Sequence, residues 1–176
     1  ADKTKRSYVG FCTRITAKST YTKRKNYESL IKIINNLASK GQKILILGDG
    51  WEKIEIKNRR ENVLIPCPPY EHYNLFYNLM KVFVSVTSYD GGPIPLLESM
   101  ACGVPSVITN SGFVPDVINS KELGLTFQPF ESEDRIIDLI QESSITTYDR
   151  TLLRNRASMF SFDNYARRLL NILNMK

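Results

Sequence analysis

Three features of the sequence predict an α/β fold, in which a parallel sheet lies between two layers of helices. Short apolar segments alternate with longer segments whose apolar residues recur at helical spacing. Residues 43–48, KILILG, are almost wholly apolar, which is typical of a strand that is covered on both faces. Residues 26–41 form an amphipathic helical pattern that ends at Gly41. Strands and helices that alternate in this way pair as a parallel sheet with helices on both faces.

The other elements follow in the same alternating order along the chain. Predicted strands cover residues 7–12, 43–48, 62–66, 82–86, 105–109 and 123–127. Predicted helical segments cover residues 26–41, 70–80, 93–102, 114–118, 131–143 and 146–173. With 176 residues and no low-complexity linker, the sequence predicts a single domain over residues 1–176, built on about six strands.

Composition argues against several classes of protein. The chain is 42% hydrophobic and 24% charged, as globular proteins in water are, and it has no apolar run of the ~18 residues that a membrane span needs. Its start does not resemble a signal peptide. The cysteines (Cys12, Cys67 and Cys102) form no CxxC pair, so we expect reduced, mostly buried thiols in the cytoplasm. With His72 as the sole histidine, no metal site is expected.

Charge is distributed unevenly along the chain. Residues 1–60 hold 15 Lys and Arg against 5 Asp and Glu, whereas residues 61–176 hold 9 against 13. The basic part fits solvated lysines, and it equally fits an anionic ligand or an acidic surface near the first elements. No aromatic and basic RNA-binding motif accompanies it, so nucleic acid is not an expected partner.

The segment SYDGGPIPLLESMACGVPSV, residues 88–107, is the candidate site. It connects a predicted strand to a predicted helix, and ligands of parallel sheets bind beyond the carboxyl ends of the strands. Gly91 and Gly92 are expected to let the backbone turn tightly and approach a ligand closely. Pro93 suits the first turn of the helix. The helix start would present N–H groups and a partial positive charge to an anion such as phosphate.

Two carboxylates flank this expected anion site. Asp90 precedes the glycines, and Glu98 lies about 8 Å along the helix axis from its start, at ~1.5 Å per residue. Because carboxylates bind vicinal hydroxyls, this layout fits a nucleotide diphosphate sugar, which has hydroxyl groups on both sides of its diphosphate. The spacing alone also fits a solvent-facing Glu98 and a turn residue at Asp90.

The same segment resembles the motif of the retaining GT-B glycosyltransferases of family 4, the group 1 type. In that motif an acid, seven residues and a Glu precede Ala-Met-Ala-Cys-Gly-x-Pro-Val-Val, and Asp90 and Glu98 occupy the two acid positions. Met100, Ala101, Cys102, Gly103 and Pro105 match the motif by identity. Further stretches resemble the family along the whole chain, among them KILILGDG, NSGFVPDVI and LGLTFQPFESEDRIIDLI.

The resemblance implies that the chain is the Rossmann-like C-terminal half of a GT-B fold, which binds the donor, and that the N-terminal, acceptor-binding half is absent from it. It implies transfer of a sugar from a UDP-, GDP- or dTDP-type donor to an acceptor hydroxyl, with retention of the anomeric configuration and without a cofactor. The acceptor would be a glycan, a lipid-linked group or a protein. A membrane-proximal acceptor would suit the basic first third, so peripheral membrane contact stays open. The isolated domain is expected to bind donor and transfer nothing.

The resemblance also implies roles for individual residues. The basic pair that grips the diphosphate corresponds to Arg14 and Lys25, with Arg24 as the alternative to Lys25. Asp90 would contact the transferred sugar, and Glu98 would bind the ribose hydroxyls. Backbone groups near the phosphates and the base would complete the site; they belong to Gly91, Gly92, Ile94, Leu96, Ile65 and Cys67.

Departures from the family pattern keep two other functions open. Asp90 is one methylene shorter than the usual Glu, Ser111-Gly112 stands where the family has Gly-Gly, and the loop over residues 13–25 is longer than usual. A GT-B-like sugar-nucleotide epimerase is one alternative, although it would need catalytic histidines and this chain has one. A non-catalytic module that binds a nucleotide sugar or another anion is the second.

Overall fold

The sheet is parallel throughout, as the alternating pattern predicts. The structure, a computed structural model, describes residues 6–15, 23–51, 54–57, 62–64 and 68–174. Within these residues the sheet has six strands, in the order β3-β2-β1-β4-β5-β6. Their bounds are Tyr8–Cys12 for β1, Lys43–Leu47 for β2, Val63–Leu64 for β3, Met80–Ser85 for β4, Ser106–Thr109 for β5 and Gly124–Phe127 for β6.

Helices cover both faces of this sheet. Their bounds are Tyr27–Ser39 for α1, Tyr73–Tyr77 for α2, Ile94–Ala101 for α3, Val114–Val117 for α4, Glu133–Ile145 for α5, Arg150–Ser158 for α6 and Phe162–Asn174 for α7. A 3-10 turn at Tyr70–His72 leads into α2. The expected three-layer, Rossmann-like α/β fold is therefore confirmed.

Alternate residues of each central strand enter different cores. On β2, Ile44 and Ile46 pack with the apolar faces of α1 and α5, whereas Leu45 and Leu47 pack with residues of α3, α4 and α6. Successive side chains of a strand point to opposite faces, so a strand between two helix layers must be apolar at every position. This requirement explains the uninterrupted apolar run ILIL over residues 44–47 of β2.

The order of the strands reverses between β1 and β4. From β1 the chain adds β2 and β3 on one side, and from β4 it adds β5 and β6 on the other. At such a reversal the connections leave the sheet on opposite faces, which opens a crevice at the carboxyl ends of the two strands. The fold therefore places the loops that follow β1 and β4 around the same crevice.

The predicted helix over residues 70–80 is wrong at its end. Helix α2 stops at Tyr77, and Met80 already belongs to β4, where it pairs with Tyr8 and is fully buried. The predicted strand at 82–86 accordingly begins two residues earlier and ends at Ser85. Of the predicted strand 62–66, Val63–Leu64 is a strand, and its last two residues lie outside the described part.

The single helix predicted over residues 146–173 is also wrong. The amides of Phe160 and Ser161 donate to carbonyl oxygens only three residues earlier, which closes α6 with a tight turn. The Ser161 hydroxyl then accepts from the Asn164 amide at 3.4 Å as α7 begins. On one continuous helix, at ~100° per residue, Leu153 and Ala157 would lie roughly opposite Ala166 and Leu173, so this change of phase was a sequence signal for the break that the prediction missed.

In the part of the chain that the structure describes, no helix combines the length and the apolarity needed to cross a membrane.

The start of α6 generates the first prediction. The Asp149 carboxylate accepts from the amides of Thr151 at 2.8 Å and Leu152 at 3.2 Å. Asp149→Ala should therefore lower the free energy of unfolding by about 1 kcal/mol, measured by urea denaturation. Asp149→Asn keeps an acceptor oxygen and serves as the matched control. Equal losses in the two variants would contradict this capping role.

Candidate functional site

A cleft with a volume of about 480 Å³ lies where the carboxyl ends of β1 and β2 face the start of α3. Four of the residues predicted for the site line it: Arg14, Lys25, Ile94 and Glu98. Asp90 reaches it through its contact with Lys25. The structure thus brings together the basic pair and the second acid, although they are more than seventy residues apart in the sequence.

Asp90 is held by the basic residues that precede α1. Its Oδ2 lies 3.1 Å from Lys25 Nζ and 3.5 Å from Arg24 Nη1. The side chains of Lys25 and Asp90 are 17% and 20% exposed, so their attraction is less screened than that of a surface pair. Arg24 also donates to the Tyr89 carbonyl, whereas Lys25 lines the cleft. This placement favours Lys25 over Arg24 as a residue that faces a ligand.

Arg14 lies at the open side of the cleft. Its Nε is 3.8 Å from Asp49 Oδ1, and the two side chains are 69% and 73% exposed. An exposed pair of this kind is worth ~0–1 kcal/mol. Arg14 can therefore exchange Asp49 for another anion at little cost.

The backbone that carries Arg14 is fixed by neighbouring elements. Trp51 Nε1 donates to the Thr13 carbonyl at 2.8 Å, and the Tyr27 hydroxyl donates to the Arg14 carbonyl. Gly48 has φ +137°, and a Cβ there would lie 2.3 Å from the Thr13 carbonyl oxygen. Glycine at this position therefore lets the turn after β2 approach the segment after β1.

The backbone of the loop does not require glycine at Gly91 or Gly92, and their close approach to a ligand stays a prediction. Neither Gly91 nor Gly92 has the positive φ that favours glycine. At Gly92 a Cβ would lie 2.8 Å from the Phe113 ring, whereas at Gly91 it would meet open space. Gly112 is the residue with positive φ, +56°, and a Cβ there would lie 2.0 Å from the Asp90 carbonyl oxygen. The tight approach is thus between two loops of the protein.

The start of α3 offers fewer amides than its position suggests. Pro93 is the N-cap and Pro95 lies in the first turn, and proline has no N–H. The Leu96 amide donates to the Pro93 carbonyl at 2.9 Å, and the Leu96 side chain is fully buried. The role of Leu96 beside a phosphate stays a prediction that would require this bond to open. Ile65 and Cys67, expected near the base, lie outside the described residues.

Glu98 is bound by two tyrosines that the sequence reasoning missed. Tyr77 donates its hydroxyl to Oε2 at 2.8 Å, and Tyr70 donates to Oε1. The hydrogen bond to Glu98 raises the pKa of Tyr70 to about 12, and burial raises the pKa of Tyr77 above its usual range. Both phenols therefore stay protonated donors at neutral pH.

The spacing of these tyrosines was the available signal. Tyr70, Tyr73 and Tyr77 follow one another at three and four residues, which places them on one face of a helical segment. Their rings form a chain, with centroids 5.3 Å apart for the first pair and 6.4 Å apart for the second. Tyr70 and Tyr73 also line the cleft.

A parallel sheet with a cleft at the carboxyl ends of its strands and helices on both faces defines a Rossmann-like α/β domain. Residues 14–157 match the family model described as glycosyl transferases group 1. The match covers most of the chain, and the chain therefore belongs to this family.

Two curated relatives are glycosyltransferases by name. The chain is 28% identical over 126 residues to the O-antigen chain mannosyltransferase B of Escherichia coli, a match that covers 69% of this chain and 32% of that protein. It is 29% identical over 99 residues to the amylovoran biosynthesis glycosyltransferase AmsD of Erwinia amylovora, with coverages of 53% and 28%. The matched region is thus about a third of each relative.

Solved structures share the fold. The apo lipopolysaccharide outer core galactosyltransferase WaaB matches with a TM-score of 0.73 at 18% identity, over 99% of this chain and 51% of that one. The pneumococcal O-GlcNAc transferase GtfA, in complex with UDP and GlcNAc, matches with a TM-score of 0.70 at 13% identity, over 97% and 36%. These neighbours are GT-B glycosyltransferases, and the chain corresponds to part of their fold.

Cys12, which lines the cleft, generates a prediction about pH. Burial raises the pKa of its thiol to about 11. At pH 8 its thiolate fraction should therefore be roughly two orders of magnitude below that of an ordinary cysteine, with a pKa of about 8.5. Iodoacetamide labelling, followed by peptide mass spectrometry, should show a rate that rises with pH up to about 11.

The raised pKa of Cys12 also determines how its contribution to the stability of the fold depends on pH. The unfolded chain releases this proton first, so the contribution of Cys12 to stability is complete below about pH 8.5 and falls as the pH rises toward 11. Labelling in urea, where the thiol titrates normally, is the control. A midpoint near pH 8.5 in the folded protein would contradict the burial argument.

Proposed function

We propose that the chain is the donor-binding half of a GT-B glycosyltransferase and holds a nucleotide diphosphate sugar in the cleft. One observation carries the proposal: Arg14 and Lys25 lie in the same cleft as Glu98, with the start of α3 beside them. The two cations suit a diphosphate, and a carboxylate suits vicinal hydroxyls. Membership of the group 1 family supports sugar transfer as the overall reaction.

The diphosphate would be recognised by an exchange of partners. Lys25 binds Asp90 in the structure, and Arg14 binds Asp49. A bound diphosphate would take Lys25 and Arg14 as its own counter-ions, and it would leave Asp90 available to the transferred sugar. As the sugar departs, the two cations would stabilise the charge that grows on the leaving diphosphate. Preorganised donors of this kind contribute about 2.7–4 kcal/mol each.

The ribose would be recognised by Glu98. Each carboxylate oxygen accepts one phenol, and each retains a second lone pair for a ligand hydroxyl. The base would lie beyond Glu98 near residues 65–68, of which Pro68 lines the cleft. Two of the similar solved structures, TarM of S. aureus and pneumococcal GtfA, are complexes with UDP, which supports a nucleotide ligand.

The other partners follow from this role. The other half of a GT-B enzyme would bind the acceptor, which would be a glycan, a lipid-linked group or a protein. The resemblance also leads us to expect retention of the anomeric configuration. The names of the curated relatives, which refer to O-antigen and amylovoran, favour a glycan. We place the reaction in the cytoplasm, with peripheral membrane contact where the acceptor is lipid-linked.

Titration calorimetry with UDP, GDP and dTDP tests the proposal directly. At least one of the three should bind with a dissociation constant below about 1 mM, which corresponds to −4.1 kcal/mol. A failure of all three to bind would remove the donor-binding role.

Lys25→Ala should weaken the diphosphate complex selectively. Loss of a hydrogen bond to a charged group costs about 1.5–3 kcal/mol, so the dissociation constant of the bound nucleoside diphosphate should rise about tenfold or more. The affinity for the matching nucleoside should change little. Lys32→Ala removes an exposed lysine that pairs with Glu28 and Glu133, and it is the matched control. Equal losses for nucleotide and nucleoside would argue against a phosphate contact.

Asp90→Asn should have the opposite effect: it should increase the affinity for a nucleoside diphosphate that carries no sugar. The carboxylate would compete with the phosphates for Lys25, so removal of its charge should tighten binding by up to about 1 kcal/mol, measured by the same calorimetry. The gain should disappear in the presence of Lys25→Ala. Weaker binding by the single variant would show that Asp90 and the diphosphate do not compete.

A further inference from the structure

Glu98 borders two cavities. It lines the cleft described above and, together with Tyr70 and Tyr73, a second cavity of about 360 Å³. A carboxylate between two open spaces has several rotamers available, and a ligand that selects one of them loses affinity for the ordering. The orientation of Glu98 therefore depends on what restrains it.

The restraint comes from the two phenols. Tyr77 is 1% exposed and holds Oε2 from inside the protein, while Tyr70 is 67% exposed and holds Oε1 from the solvent side. Bonds to both oxygens fix the plane of the carboxylate as well as its position. Hydrogen bonds to an ionised acceptor are also stronger than those between neutral groups.

The row of tyrosine rings is anchored on β4 through Tyr77. The ring of Tyr77 packs edge-on against Phe83, with centroids 6.2 Å apart, and Phe83 is a buried residue of β4. Tyr73 and Tyr70 continue the row of rings outward to the cleft. The orientation of Glu98 is therefore tied to the centre of the sheet.

We propose that Tyr77, assisted by Tyr70, is a positioning residue that orients the Glu98 carboxylate toward the vicinal hydroxyls of a donor ribose. This inference rests on the proposed function, because it requires Glu98 to bind the ribose. The opposing interpretation is that the phenols only satisfy a carboxylate that has no ligand. The two interpretations differ in one expected result: only a positioning role predicts that loss of the phenol weakens binding of a ligand that has ribose hydroxyls and spares one that lacks them.

The test measures the binding of UDP and GDP, each beside its 2′,3′-dideoxy analogue, by calorimetry on this chain. Tyr77→Phe should weaken the ribonucleotide that binds by about tenfold, equivalent to ~1.4 kcal/mol. It should leave the dideoxy analogue within about twofold, because that ligand has no hydroxyls for Glu98 to bind. Tyr148→Phe is the matched control. The Tyr148 hydroxyl accepts a hydrogen bond from Ser143 and, within the described part of the chain, forms none with Glu98.

Tyr70→Phe keeps the test decisive if Tyr77→Phe does not fold. Tyr70 is mostly exposed, so its substitution spares the core, and it should cause a smaller loss confined to the ribonucleotide. A loss equal for ribonucleotide and dideoxy analogue, or no loss, in the folded variants would overturn the positioning role.

Glu98→Gln distinguishes failure of the positioning role of Tyr77 and Tyr70 from failure of the proposed function. If the wild-type chain binds neither UDP nor GDP, or if Glu98→Gln leaves their affinities unchanged, the ribose role falls and the positioning role falls with it. If Glu98→Gln weakens the ribonucleotide but Tyr77→Phe and Tyr70→Phe do not, only the positioning role is wrong.

Discussion

The reversal of strand order between β1 and β4 is the constraint on which the rest of the site depends. From β1 the chain crosses to α1 on one face of the sheet, and from β4 it crosses to α3 on the other. Because the two connections diverge, neither can cover the carboxyl ends of both strands. The crevice that remains receives Lys25 from one face and Glu98 from the other, and no local sequence preference could bring them together.

The charged groups of this crevice are already paired within the protein. Asp90 lies between Lys25 and Arg24, and Glu98 accepts from two phenols. A partly buried charge without partners would destabilise the fold, so these contacts permit a polar site to exist in the absence of ligand. Under the proposed function, diphosphate binding would exchange these partners, and its free energy would be the difference between the two sets of contacts. Selectivity for a diphosphate would then depend on how much more strongly Lys25 binds the diphosphate than it binds Asp90.

The sequence predicted those elements whose pattern is enforced by burial on two faces. The apolar run of β2 and the amphipathic face of α1 exist because the sheet is covered on both sides, and both were located to within about two residues. Where tertiary contacts decide, prediction failed. Pairing with Tyr8 draws Met80 into β4, and side-chain caps divide residues 146–173 into two helices. Likewise, Gly92 is explained by the Phe113 ring and not by its own backbone.

The acids of the site could be found from the sequence because they lie within one loop and one helix. The spacing of Tyr70 and Tyr77 could have marked them as residues of one helical face, but not as partners of Glu98, because they precede it by 28 and 21 residues and reach it only through the fold. This arrangement links the proposed ribose site at Glu98 to the packing of α2, a helix of five residues whose Tyr77 ring packs against Phe83. If α2 separates from Phe83, Glu98 loses its inner donor. By linkage, a ligand that binds the oriented form of Glu98 must also stabilise the packing of α2 against β4.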